Sequence, residues 1–318
     1  MSRIFVTSEL PGKAVEELAS RHEVVVRTSS ERLTHEELVE EAARSDALIV
    51  LLSDPIDEAV VASGIKCIAT FAVGYDNIDI NAARRHGVAV CNTPDVLTDA
   101  TADLAFGLLL AAARRIPESE VFLRGGMFDG WAPSLFLGMP VAGQVLGVIG
   151  AGRIGRAMIS RGGGFEMDVR YHAREDLPSI VAKGARSQPL DDLLTEADFV
   201  SLHVPLTPET HHLIDRRRLS LMKPTAVLVN TARGPVVDEA ALAEALRGER
   251  LFGAGLDVFE NEPAIHPDLL QLKNVVMTPH TGSATVTARA QMARLCCDAV
   301  EAVLAGKVPK NTVVHPSL

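Results

Sequence analysis

Three glycines, at residues 150, 152 and 155, constrain this chain more than any other feature, because an apolar run leads directly into them. Residues 145–149 read as a buried strand, and residues 153–159 have the pattern of a helix. In the spacing G-x-G-x-x-G, Gly150 permits a tight turn, Gly152 lets the backbone approach a pyrophosphate, and Gly155 lets the helix pack close to the strand. The amino end of that helix presents unpaired N–H groups to an anion. The arrangement predicts a dinucleotide site.

Length and charge narrow the class of protein. A chain of 318 residues favours two domains over one core. The formal net charge of -10 argues against a nucleic-acid partner, because phosphate binding needs a basic surface. The longest apolar run, residues 104–113, is shorter than the roughly 20 residues of a bilayer span, and the amino terminus begins a strand instead of a signal peptide. We expect a cytoplasmic protein without a membrane partner.

The cysteines give no sign of a metal or disulfide framework. None of them has C-x-x-C spacing, and all lie in apolar segments, so we interpret them as buried thiols and expect no metal site. They are Cys67, Cys91, Cys296 and Cys297.

Short β-branched runs alternate with helical segments in both halves of the chain, which is typical of parallel sheets with helices on their faces. The last helix, near residues 283–305, has no strand after it in the second set, so we expect it to return to the first domain. The sequence predicts an α/β fold of two doubly wound parallel-sheet domains, with residues 99–284 inserted into a discontinuous domain of residues 1–98 plus 285–318. The predicted strands lie near 4–6, 24–26, 48–51, 67–69, 88–90, 145–149, 168–171, 198–202, 226–229, 253–258 and 275–277.

Three ionisable residues, Arg233, Glu262 and His280, follow strand ends in the second half, where open α/β sheets place their sites. Singly, each has an ordinary interpretation as a surface, turn or structural residue. Together they supply a bidentate cation, a carboxylate and an imidazole, which are the groups that reduction of a 2-keto acid needs.

Seven segments carry a resemblance to a known family. They are residues 73–79, 150–155, 203–210, 221–224, 230–234, 255–263 and 278–284. On these motifs the chain resembles the D-isomer-specific 2-hydroxyacid dehydrogenases, and among them the glyoxylate and hydroxypyruvate reductases. The resemblance implies a Rossmann cofactor domain inserted into a flavodoxin-like substrate domain, a homodimer with the region of Trp131 at its interface, and hydride transfer that yields a D-2-hydroxy acid.

The resemblance also implies roles for individual residues. Arg233 would hold the substrate carboxylate and carbonyl, His280 would be the acid/base, and Glu262 would hold and charge the imidazole. The amides of Val73 and Gly74 would receive the substrate carboxylate, with Ser53 in the substrate-binding loop. Glu262 disfavours formate oxidation, because the formate dehydrogenase branch has Gln there. The expected coenzyme contacts are Thr101, Gly150, Gly152, Arg153, Ile154, Gly155, His172, Arg174, Val204, Pro205, Thr210, Thr231 and Asp257, the last on the nicotinamide carboxamide.

Coenzyme choice depends on the end of the strand that follows the glycine motif. Residues 169–174 offer no carboxylate to a ribose 2′-hydroxyl, whereas Arg174 has the right charge for a 2′-phosphate. We therefore predict NADP(H), the alternative being NAD(H) with Glu175 or Asp176 on the ribose. Glu166 departs from the family, which often has Gly-Phe-Gly-Met where this chain has Gly-Phe-Glu-Met.

Two other functions stay open at this point. One is a 3-phosphoglycerate dehydrogenase, although those enzymes commonly carry a carboxyl-terminal regulatory domain and this chain stops at Leu318. The other is a dinucleotide-sensing corepressor, which would share the triad of Arg233, Glu262 and His280 but would bind coenzyme with little turnover. His211 and His212 are interpreted as turn residues, and residues 216–218 as a solvated helix face.

Overall fold

The computed structural model describes residues 1–29, 31, 33–175, 177 and 184–315. The chain divides into two compact units, Met1–Leu97 with Ser283–Leu318, and Thr98–Gly282. These divisions fall at 97/98 and 282/283, where the sequence analysis places them at 98/99 and 284/285. Among the described helices, none is long and apolar enough to cross a membrane.

Strands alternate with helices along the described part of the chain. The strands are β1 (Arg3–Val6), β2 (Glu23–Val26), β3 (Ala47–Val50), β4 (Cys67–Thr70), β5 (Ala89–Cys91), β6 (Val145–Ile149), β7 (Asp168–His172), β8 (Arg186–Ser187), β9 (Phe199–Leu202), β10 (Val227–Asn230), β11 (Gly253–Leu256), β12 (Val275–Met277) and β13 (Thr312–Val314). The α-helices are α1 (Ala14–Ala19), α2 (His35–Ala43), α3 (Glu58–Val61), α4 (Ile80–His86), α5 (Thr98–Ala113), α6 (Ile116–Arg124), α7 (Arg153–Gly164), α8 (Leu190–Glu196), α9 (Arg216–Leu221), α10 (Glu239–Arg247) and α11 (Val286–Leu304).

The first unit contains a sheet with the strand order β13-β5-β4-β3-β1-β2. Its strands are parallel except β13, which runs antiparallel to β5. The strands β3 and β4 are buried along their whole length, as expected for parallel strands with helices on both faces. All four cysteines are free and buried, on strands or on α11 within this core, which agrees with their interpretation as structural thiols.

The second unit contains a sheet with the order β12-β11-β10-β9-β6-β7-β8, in which all pairs are parallel. The chain adds β7 and β8 on one side of β6 and then β9 to β12 on the other. Such a reversal is the topological switch point at which α/β sheets bind ligands, and it lies beside the glycine motif that follows β6. The predicted α/β class of two doubly wound sheets is confirmed.

Local sequence signals explain several element ends. Thr34 and Glu37 form the capping box that opens α2: the Thr34 hydroxyl accepts from the Glu37 amide at 3.2 Å, and the Glu37 carboxylate accepts from the Thr34 amide at 2.9 Å. After α7, Glu166 has a φ of 56°, in the left-handed region that glycine adopts without strain. This backbone conformation explains why a glycine would suit the position that Glu166 occupies in this chain.

Candidate active site

The glycine motif forms a helix entry that leaves room for a ligand. A Cβ on Gly150 would lie 2.5 Å from the carbonyl oxygen of His203, and one on Gly155 would lie 1.9 Å from the carbonyl oxygen of Gly150. Both positions therefore require glycine for packing. A Cβ on Gly152 would meet no described atom within 4 Å, so open space lies at the N-cap of α7. A dinucleotide-binding loop needs glycine at these three positions, for its tight turn, for the approach of the ligand and for the close packing of the helix.

Arg233 lies in a closed loop after β10. The side chain of the buried Asn230 donates to the Arg233 carbonyl at 2.9 Å and accepts from the Ala232 amide at 3.0 Å. The Arg233 guanidinium donates to the Ala232 carbonyl at 2.7 Å. At the next residue, a Cβ on Gly234 would lie 1.9 Å from the Phe259 carbonyl carbon, so this loop directly touches the segment after β11.

Glu262 and His280 are hydrogen-bonded to each other, with 2.8 Å between His280 Nδ1 and Glu262 Oε2. The other carboxylate oxygen of Glu262 accepts from the Phe259 amide at 2.9 Å. Burial opposes ionisation of Glu262, but the bond and charge of His280, the Phe259 amide and the charge of Arg233 outweigh it, so the pKa of Glu262 lies below its usual value. The carboxylate is thus charged and holds the imidazole through Nδ1, which leaves Nε2 as the ring nitrogen that can serve a substrate.

His280 is held in an uncommon backbone conformation, with a φ of 52°. Strained residues of this kind are concentrated at functional sites, where the surrounding structure imposes them. Here the surrounding group is the buried Asp257, which accepts from the Thr278 hydroxyl at 2.6 Å, the Thr281 amide at 2.7 Å and the Gly282 amide at 2.7 Å. The His280 amide also donates to the Asp257 carbonyl at 2.8 Å. Asp257 therefore shapes the loop that carries the imidazole, and its contact with nicotinamide stays a prediction.

The remaining predicted coenzyme residues lie around the same sheet edge. The Thr231 hydroxyl is buried and finds no hydrogen-bond partner among the described residues, so it is available to a ligand. Thr210 instead closes its own turn, donating to the Pro205 carbonyl at 2.6 Å, and Val204 packs beside Gly150. The remaining members of the set are placed as follows: Thr101 is buried on α5 near Gly282, Arg153 and Ile154 begin α7, His172 ends β7 with Nδ1 3.1 Å from the Gln188 carbonyl oxygen, and Arg174 is exposed just beyond it.

Arg174 and Glu175 are both exposed after β7, whereas Asp176, the other candidate for the ribose, lies outside the described residues. The pKa of Glu209 lies below its usual value, mainly because of a hydrogen bond from the Thr207 side chain and to a smaller extent because of the charge of Arg174.

The predicted substrate residues of the first unit lie on loops at the carboxyl ends of β3 and β4. Ser53 is exposed, and Val73 and Gly74 are half-buried. The amides of Val73 and Gly74 donate to no residue that the structure describes, so both are free for an anion. Asn77 joins the two loops by donating to the carbonyl oxygens of Leu51 at 3.1 Å and Asp54 at 2.8 Å.

Sequence reasoning missed three residues of this region. Gly234 and Asn230 fix the Arg233 loop, and both lie in the 230–234 motif, which is the signal that could have revealed them. Glu260 contacts His212, 48 positions earlier, and no local pattern reveals such a pair. His211 and His212, interpreted from sequence as turn residues, do lie in a turn, and the structure brings Glu260 to them.

Comparisons with known proteins identify the protein family to which this chain belongs. The family description "D-isomer specific 2-hydroxyacid dehydrogenase, NAD binding domain" matches residues 106–282. The glyoxylate reductase of Thermococcus onnurineus is 47% identical over 318 residues, covering 98% of this chain and 95% of that protein. The corresponding enzyme of Pyrococcus horikoshii is 46% identical, with coverage of 98% and 95%.

Solved structures of similar proteins support the same family assignment. A protein from Thermus thermophilus is 47% identical with a TM-score of 0.93, covering 98% of this chain and all of that one. The NADPH-dependent glyoxylate/hydroxypyruvate reductase of Sinorhizobium meliloti, in complex with NADP and malonate, is 33% identical with a TM-score of 0.88 and coverage of 98% and 96%. The chain belongs to the D-isomer specific 2-hydroxyacid dehydrogenase family, and it is an oxidoreductase that reduces 2-keto acids.

Proposed function

We propose that this enzyme reduces glyoxylate to glycolate with NADPH, and hydroxypyruvate as a second substrate. The observation that carries the proposal is the hydrogen-bonded pair of His280 and Glu262 beside the Arg233 loop, at the carboxyl ends of β10, β11 and β12. The Thermococcus and Pyrococcus relatives named glyoxylate reductase support the choice of substrate. A small 2-keto acid presents one carboxylate and one carbonyl, which match one guanidinium and one imidazole.

In the proposed mechanism, Arg233 binds the substrate carboxylate and stabilises negative charge on the carbonyl oxygen. A nicotinamide coenzyme, when bound, would supply the hydride for the carbonyl carbon. Protonated His280 donates its Nε2 proton to the carbonyl oxygen and becomes neutral. Glu262 fixes the orientation of the imidazole through Nδ1 and stabilises the charged form of His280. The lowered pKa of Glu262 is consistent with this role.

Residues of the second unit fit a nicotinamide dinucleotide. The open space at Gly152 and the first-turn amides of α7 would take the pyrophosphate, and the orphaned hydroxyl of Thr231 would donate to or accept from the coenzyme. Arg174, exposed beyond β7, would contact a 2′-phosphate and so favour NADPH. The Sinorhizobium relative, which binds NADP, supports this choice. In the first unit, the free amides of Val73 and Gly74 would receive the substrate carboxylate.

A substrate panel tests the proposal. Purified enzyme is assayed with glyoxylate, hydroxypyruvate, pyruvate and phosphohydroxypyruvate, each with NADPH and with NADH. We expect the highest kcat/KM for glyoxylate with NADPH. A preference for phosphohydroxypyruvate would instead indicate a 3-phosphoglycerate dehydrogenase. Coenzyme binding without turnover of any of the acids would indicate a dinucleotide-sensing protein.

We further propose that the enzyme is a homodimer. Helix α6 and the loop after it expose large apolar side chains, among them Val121 (65% exposed), Leu123 (60%) and Trp131 (84%). An apolar surface of this kind is typical of a protein interface. Sedimentation analysis should give a dimer, and Leu123→Asp should shift it toward monomer. A monomeric wild-type enzyme would contradict the proposal.

The compartment proposed is the cytoplasm. Four free and buried cysteines are typical of a reducing environment, since disulfides are rare there. Fractionation of the source cells with an antibody to the enzyme tests this, and recovery outside the cytoplasmic fraction would contradict it.

A further inference from the structure

A second cluster of ligating side chains lies away from the reductase triad. His211, His212 and Glu260 each offer one ligand atom, and these atoms all lie within 4.8 Å of one another. The imidazole rings of the two histidines are stacked, with 4.1 Å between centroids and 28° between planes. Nε2 of His212 is hydrogen-bonded to the carboxylate of Glu260. Glu260 has no role in the mechanism above.

The backbone aims both imidazoles the same way. Adjacent side chains on an extended chain point to opposite faces, but His212 has a φ of 49°, and this left-handed residue turns its ring alongside that of His211. The turn is held by hydrogen bonds from the His211 amide to the Thr207 carbonyl at 2.9 Å and from the His212 amide to the Pro235 carbonyl at 2.8 Å. The pair is therefore presented on a fixed backbone.

Glu260 is fixed from the other side. Its amide donates to the carboxylate of Glu239 at 2.5 Å, and Glu239 is buried at the start of α10. All three candidate ligands thus project from anchored main chain, whereas their side chains are exposed for His211 and half-buried for the other two. An ion can enter from solvent without unfolding any element.

We propose that His211, His212 and Glu260 form a binding site for a borderline divalent cation, with Zn²⁺ as the ion that fits best. Two imidazoles and one carboxylate are ligands that Zn²⁺ accepts, at about 2.0–2.2 Å from the metal, with water completing a tetrahedron. Ligand atoms on such a tetrahedron are about 3.3 Å apart, so the more distant ligand atoms must close by roughly 1.5 Å at most, while the hydrogen-bonded atoms of His212 and Glu260 must separate. The ion would take the place of the hydrogen bond between His212 and Glu260.

Occupancy would join two loops of the second unit, the 207–212 turn and the segment after β11. The second of these is the segment in which the Phe259 amide holds Glu262 at 2.9 Å. A bound ion should therefore slow opening of the backbone around Phe259 and Glu260. The ion lies outside the proposed reaction, because neither histidine of this pair belongs to the triad.

The test is calorimetric titration of chelator-treated enzyme with ZnCl₂. We expect one saturable site with a Kd on the order of micromolar, and a loss of at least tenfold in affinity in both His211→Ala and Glu260→Gln. His35→Ala is the matched control, because His35 is an exposed histidine paired with Asp57 at 2.9 Å in the other unit. Unfolding curves without metal check that each variant is folded.

Two further readouts make the assignment specific. CoCl₂ should give the visible absorption of a tetrahedral ion in wild type and in His35→Ala, and none in His211→Ala. Hydrogen exchange at residues 259–260 should slow when ZnCl₂ is added to the wild type. An absence of Zn²⁺ binding at millimolar concentration, or equal affinity in wild type and His211→Ala, would overturn the proposal.

Discussion

Replacing Gly234 with alanine should impair the reaction more than the fold. The new Cβ would lie 1.9 Å from the carbonyl carbon and oxygen of Phe259 and 2.4 Å from the Glu260 amide nitrogen. Ordinary carbon contacts are about 3.5 Å, so the two segments must separate by roughly 1.5 Å. One segment carries Arg233, and the other holds Glu262 through the Phe259 amide. The separation therefore moves the guanidinium away from the His280 pair.

A misplacement of about 1 Å in a catalytic group can cost on the order of 10²-fold in rate, and overpacking costs about 1–3 kcal/mol of stability. We expect kcat/KM for glyoxylate to fall by roughly 10²-fold in Gly234→Ala, measured as NADPH consumption, while the Kd for NADPH changes little. Urea unfolding should report the loss of stability.

Gly163→Ala is the matched control. It adds the same methyl group on the exposed face of α7, where no described atom lies within 4 Å. Alanine is favoured over glycine in a helix by up to about 1 kcal/mol, so this variant should be active and slightly more stable. Wild-type kcat/KM in Gly234→Ala, or an equal loss in both variants, would refute the reasoning.

Three further substitutions separate coenzyme binding from chemistry. Gly152→Ala adds a methyl that meets no described atom within 4 Å, so Tm should be unchanged while the Kd for NADPH rises at least about tenfold by calorimetry; an unchanged Kd would place the pyrophosphate elsewhere. Glu262→Gln keeps the shape and removes the charge, so kcat should fall by roughly 10²–10⁴-fold with the Kd for NADPH retained; wild-type kcat would remove the carboxylate from the mechanism. Arg174→Ala removes a contact of about 1.5–3 kcal/mol and should raise KM for NADPH by roughly ten- to hundredfold without affecting NADH; a wild-type preference for NADH would instead point to Glu175 or Asp176.

The sequence predicted most of the fold because many of its strands are short apolar runs, such as β3 with the sequence Ala-Leu-Ile-Val. The strand predicted at 253–258 ends at Leu256, since the next residue, Asp257, turns its carboxylate to the 278–282 loop. Two strands were missed for opposite reasons. β8 has only two residues, both exposed, and carries no apolar signal. β13 is three residues long and exists through its antiparallel pairing with β5, which local sequence does not encode.

The site was predictable only as a set of strand ends. Parallel strands bring their carboxyl ends to one edge, so residues following β10, β11 and β12 could be expected to meet. The hydrogen bond between His280 and Glu262 agrees with that expectation. The close approach of Gly234 to Phe259 and the contact of His212 with Glu260 could not be foreseen, because they depend on how loops from different strands pack.

The most direct test of the central claim is the turnover of His280→Ala with glyoxylate and NADPH. The account predicts that kcat falls by roughly 10²–10⁴-fold, because the proton donor is lost, while NADPH binds with nearly the wild-type Kd. Turnover equal to that of the wild type, in a folded variant with intact coenzyme binding, would show that the imidazole held by Glu262 is not the acid of this reaction.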